Sequence, residues 1–133
     1  MPDPVITNND LGSVIVKDAE FRDELLTFAG ADDLLEGTIL ARDSVSLKLV
    51  IYVKGGVTNE NGIPKAILTY PVSAAGAGDE AVRAGVSGVY RKERLVIDAD
   101  GDDSNVDNAV IDQLRDYGLI PLNVDELNIP DNQ

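Results

Sequence analysis

Apolar positions along this chain cluster in short runs separated by glycine-rich and charged turns, the spacing of a small β-rich domain. The densest stretch runs from Gly37 to Ile97. Thr38–Ala41 reads as a short strand and 42–46 as a polar turn. Lys48–Val53 is apolar on both faces, which predicts a central strand. Gly55-Gly56 breaks it, and 59–62 carries a second turn signal. Ala66–Val72 is the next strand, with Pro71 marking an edge or a bulge because proline has no amide to donate. After the small-residue loop SAAGAGDE, Ala81–Tyr90 alternates, with Val82, Ala84, Val86 and Tyr90 assigned to one face; Leu95–Ile97 closes the set.

Either side of this stretch the periodicity changes. Phe21, Leu25 and Phe28 lie at helical spacing behind a capping Asp18 and ahead of Gly30, predicting a short helix over 19–29. A second helix is predicted over Val106–Tyr117, capped by Asn105 or Asp107 and ended by Gly118. The tail from Leu119 is too irregular for a helix and is expected to lie extended on the domain. Residues 1–17 read as an N-terminal arm and 18–133 as one domain. Within the arm Val14, Ile15 and Val16 form a β-branched run that either packs on the parent domain or adds a strand to a neighbouring sheet edge. The fold class is therefore mainly β, a small barrel or sandwich with one C-terminal helix, a short N-terminal helix and an extended arm.

Composition narrows the chemistry. The chain has 133 residues, a single-domain length, and contains neither cysteine nor histidine. Disulfides, Cys/His zinc sites and imidazole or thiolate catalysis are excluded. With 24 acidic and 11 basic residues the formal charge is −13, which disfavours nucleic acid and anionic lipid as partners. No apolar run is long enough for a membrane span, and the N-terminus lacks the pattern of a secretory signal.

The candidate chemical motifs are weak. Asp98, Asp100 and Asp102 alternate as a calcium loop begins, but the sixth and twelfth places hold Asp103 and Ala109 where glycine and glutamate are needed. A solvated acidic loop ahead of a helix explains them as well. Gly76-x-Gly78 lacks a following helix start and a third glycine. Ser44 and Ser46 near Lys48 look like an exposed turn, not a nucleophile pair with a desolvated lysine. No catalytic constellation emerges, and no cofactor or metal is expected.

One resemblance goes further. Gly37-Thr38-Ile39-Leu40 with Asp43, Lys48-Leu49-Val50 with Tyr52, Gly62-Ile63-Pro64-Lys65-Ala66-Ile67-Leu68, and the glycine-interrupted Val82–Tyr90 ending at Leu95 resemble the lambda-type head decoration proteins of tailed phages. The resemblance implies a non-enzymatic virion protein, made in the host cytoplasm, that sits on the outer surface of the expanded capsid. It implies a homotrimer that cements neighbouring major capsid subunits. It also implies that the arm pairs with a loop of the major capsid protein, with Val14, Ile15 and Val16 as the capsid-binding candidates. The competing readings are a carbohydrate- or metal-binding β-barrel module or hydrolase, built on Asp43 and the Asp98–Asp102 loop, and a phage tail or baseplate component.

Overall fold

The computed structural model describes residues 13–123. Eight strands run in order: β1 (Ile15–Phe28), β2 (Asp32–Leu34), β3 (Ile39–Arg42), β4 (Leu49–Ile51), β5 (Pro64–Leu68), β6 (Val72–Ala74), β7 (Gly78–Arg91) and β8 (Leu119–Leu122). One α-helix, α1 (Asn108–Asp116), lies between β7 and β8, and two 3-10 turns cover Lys92–Arg94 and Asp98–Asp100. No helix among the described residues is long and apolar enough to cross a membrane.

Five strands close a small barrel in the order β1-β4-β3-β5-β7 and back to β1. Its longest ladder joins β1 and β7 antiparallel from Ile15↔Tyr90 to Phe28↔Gly78. Its thinnest seam joins β1 and β4 in parallel at Leu26↔Leu49. Because β7 is 14 residues long, its second edge serves β5 first, at Ala84 and Gly85, and then β8 in parallel from Gly88 to Arg91. A separate two-stranded ribbon, β2–β6, pairs Asp32–Leu34 with Val72–Ala74.

Strand alternation sorts the buried side chains into two clusters. One takes residues from all five barrel strands: Leu26 and Phe28, Leu49, Leu40, Ala66 and Leu68, Val82 and Ala84, with Leu34 and Ala74 of the ribbon added. This is the barrel interior. The other collects the opposite-facing Ile39, Ala41 and Ile67, and covers them with Leu95, Ile97, Val106, Val110, Leu114, Leu119 and Val14. The helix therefore seals the outside of β3 and β5 and does not fill the barrel.

The mainly-β expectation and the C-terminal helix are found. Asp107 is the N-cap, its carboxylate accepting from Val110 N–H. Pro71 falls between β5 and β6, ending one strand before the other begins.

Three expectations are corrected. The short N-terminal helix over 19–29 is strand β1, whose Leu26 and Phe28 enter the barrel while Phe21 and Leu25 stay 43% exposed. Pairing with β7 along its whole length outweighs the local helical spacing, and Asp18 has φ +58° in an irregular stretch of the ladder, not at a cap. Leu95–Ile97 forms no strand beyond a bridge from Val96 to Thr38. Its side chains are buried, but the 3-10 turns on either side bend the chain away from the ladder.

Tyr90, expected on the face of Val82 and Ala84, belongs to the other cluster. Between them the β1–β7 ladder shifts register three times, and Gly88 there has φ +123° and lies so close to Ala19 that a Cβ on it would meet its backbone.

Candidate functional site

The β-branched run at the head of the chain is anchored at once. Val14 is fully buried in the outer cluster. Its N–H donates to Glu36 Oε2 at 3.3 Å, and its carbonyl accepts from Arg91 N–H at 2.6 Å. The Arg91 guanidinium Nε also donates to Ser13 O at 2.8 Å. Ile15 pairs with Tyr90 at the start of β1, and both Ile15 and Val16 are half-buried. Ile15, Val16 and Lys17 of the expected arm lie in β1, with Ser13 and Val14 bonded to Arg91 just ahead of it, and residues 1–12 lie outside the described residues.

From Ile15 to Leu25 one edge of β1 is hydrogen-bonded to β7, while the other has no strand partner among the described residues until Leu26 meets Leu49. This open edge carries Lys17, Asp18, Glu20, Arg22 and Asp23, all exposed. Charged side chains of this kind discourage indiscriminate strand pairing.

Near the same end lies a cleft of about 430 Å³. Leu35, Pro71 and Val96 supply its apolar lining, and Glu36, Glu93, Asp102 and Arg94 its charges. A smaller neighbouring cleft of about 260 Å³ shares Glu93 and adds Lys92, Asp103 and Asn123. In that second cleft the cation is already taken: Lys92 Nζ is 2.8 Å from Asp103 Oδ2.

The chemical motifs resolve as structural devices. Asp43 accepts from Val45 and Ser46 N–H in the β3–β4 turn, and these donors hold its carboxyl below the usual range. Lys48 is paired with Asp79 at 2.7 Å, so Ser44, Ser46 and Lys48 make no nucleophile pair. Gly76 lies in the loop between β6 and β7 and Gly78 opens β7, a strand where a phosphate cradle needs a helix. Asp98 and Asp100 occupy a 3-10 turn, and no group of acidic side chains able to hold a metal ion occurs among the described residues.

Sequence reasoning missed one carboxylate pair. Burial raises the Asp98 carboxyl above its ordinary pKa, and the neighbouring Asp32 and Asp100 raise it further. Asp98 Oδ1 is buried with no hydrogen-bond donor. Protonated, Asp98 can donate to Asp32; ionised, it sets two acceptors against each other. Asp32 is 66 residues from Asp98 in the chain, so no spacing rule brings the two together. Tyr90 is also perturbed: burial pushes its phenol up to about 12, and its hydroxyl donates to Ser87 O at 2.8 Å.

The arrangement as a whole offers edges, clefts and charge. The model of one protein family, Bacteriophage lambda head decoration protein D, matches residues 26–119. The chain belongs to this family. The match spans the closed barrel from the end of β1 through α1 to the start of β8, and so covers the stretches that carried the resemblance. No curated protein matches the chain. The family is one of phage head decoration, which makes the protein a component of the virion capsid.

Proposed function

We propose that the protein binds the outer surface of the expanded phage capsid as a homotrimer and cements neighbouring major capsid subunits without catalysing a reaction. The family match over residues 26–119 carries this reading. Two physical features support it. The net charge of −13 keeps a high-copy surface protein off the packaged genome. The open edge of β1 offers a main-chain template of the kind used in strand addition.

On this reading residues 1–12 are the arm. Ile15 and Val16 lie where the arm joins the barrel, and their half-buried side chains are the part of the β-branched run available to the major capsid protein. Val14 supports them from within the core. Adhesion is non-covalent and made of modest contacts multiplied over the symmetric shell.

The test is binding of the purified protein to expanded capsids that lack it. Saturation at a lattice-matched copy number, together with a higher temperature of shell rupture, is the expected outcome. A protein that leaves such capsids bare would sink the proposal.

A further inference from the structure

We infer that the cleft between Leu35–Glu36, Pro71, Glu93–Val96 and Gly101–Asp102 receives a segment of the major capsid protein that presents a lysine or arginine beside an apolar side chain. This rests on the capsid-binding reading above and names the chemistry of the partner.

The cleft, at about 430 Å³, has room for a few side chains. Its apolar lining includes one of the molecule's exposed large side chains. Leu35 is 48% exposed although it directly follows Leu34, which is buried in the barrel interior. An apolar side chain left exposed in a cleft gains nothing for the free protein and is ready for a partner's apolar group.

The charges around that lining are unbalanced. Glu36, Glu93 and Asp102 face a single lining cation, Arg94. None of the three carboxylates makes an ion pair with a described residue. The neighbouring cleft shows the balanced case, with Lys92 set against Asp103. The larger cleft therefore has unmatched negative charge around an apolar lining, which a cationic side chain with an apolar neighbour complements.

The protein's own ends are the obvious competitors for this space. The described chain starts beside Glu36, through the Val14 N–H bond, and stops at Asn123 in the adjoining cleft. Residues 1–12 carry Asp3 and Asp10, and residues 124–133 carry Asp125, Glu126 and Asp131; neither stretch has a lysine or arginine. Both are the wrong sign for the site. A second copy carries the same excess of negative charge, so a trimer contact at this cleft gains less from its carboxylates than a cationic segment does. A cationic segment of a different protein is the occupant that the electrostatics favour.

The test compares the full chain with the double variant Glu93→Gln/Asp102→Asn in binding to expanded capsids lacking the protein, over a range of salt. Asn at 102 keeps the acceptor that Ser104 N–H uses, and Glu36 is left intact because it holds Val14. Asp33→Asn/Glu60→Gln is the control, since it removes the same net charge from exposed positions outside the cleft. The expected result is capsid affinity weakened about tenfold in the cleft variant, with a shallower salt dependence, and little change in the control. Equal binding by wild type and cleft variant at every salt concentration would overturn the inference and leave capsid binding standing. Parallel losses in both variants would also overturn it, by assigning the effect to net charge. Failure of the wild type to bind would remove both readings.

Discussion

At the scale of single residues, two positions show how burial and close approach set behaviour here. Gly85 is opposite Phe21 in the β1–β7 ladder, and a Cβ on it would run into the Tyr90 hydroxyl. The glycine is therefore a packing requirement of the ring behind it. Asp98 is the other. Its pKa is raised in the fold, so its ionisation opposes folding: the penalty is full above the raised pKa and absent below the pKa of the unfolded chain. Asp98→Asn supplies an amide donor toward Asp32 at a backbone φ of +46°, which asparagine tolerates. The variant is expected to be more stable than wild type by about 1 kcal/mol at neutral pH. That advantage should shrink as pH falls through the raised Asp98 pKa, as read by urea unfolding at several pH values. A variant less stable than wild type at neutral pH would show that the buried oxygen imposes no such cost.

At the scale of elements, the weak point of the barrel is the seam where β1 meets β4 at one residue pair. It is reinforced by a two-pronged ion pair. Arg42 Nη1 and Nη2 reach Glu24 Oε1 and Oε2 at 2.6 and 2.8 Å, while Nη1 also donates to Leu47 O at 2.8 Å. The bond from Arg42 holds the Glu24 carboxyl below its ordinary pKa despite partial burial. Its stabilisation is thus present above the unfolded carboxylate pKa and lost as pH falls through the depressed folded value. Glu24→Gln is expected to cost about 1–2 kcal/mol at neutral pH. The gap to wild type should close in strongly acidic solution, and chemical denaturation at pH 7 and near pH 3 measures it.

At the scale of the whole molecule, the first described residues are structural before they are anything else. Val14 is buried in the outer core cluster, and Ser13 and Val14 together accept two bonds from Arg91. Deleting residues 1–12 should therefore leave the thermal midpoint close to wild type. Deleting 1–17 should lower it by several degrees, because a buried valine and the end of the β1–β7 ladder go with it. Thermal unfolding of the two truncations decides this. Only the shorter one is a clean probe of the arm in capsid binding, since the longer one weakens the barrel itself. Equal midpoints for the two would mean that Val14 adds nothing to the core.

The strand-rich middle and α1 are legible in the sequence because their signals are local. Alternation in 81–86, the break at Gly55-Gly56, and Asp107 ahead of Val110 and Leu114 each act within a few residues. So are the absences of cysteine and histidine, the charge of −13, and the residue pattern shared with the head decoration family. Tertiary structure alone decided what depends on partners far along the chain. Phe21, Leu25 and Phe28 fit a helix until β7 supplies a full-length ladder, and then Leu26 and Phe28 turn inward instead. Tyr90 changes core where the β1–β7 ladder shifts register around Gly88. Val14 becomes core because it joins a cluster drawn from β3, β7 and the segments after it, and Asp98 becomes perturbed by burial and by Asp32, which β2 brings beside it. The cleft likewise joins residues 35–36, 71, 93–96 and 101–102, which no window of sequence spans. Local propensity governs which segments are ordered; long-range pairing and burial, each involving many residues at once, decide which way those segments face.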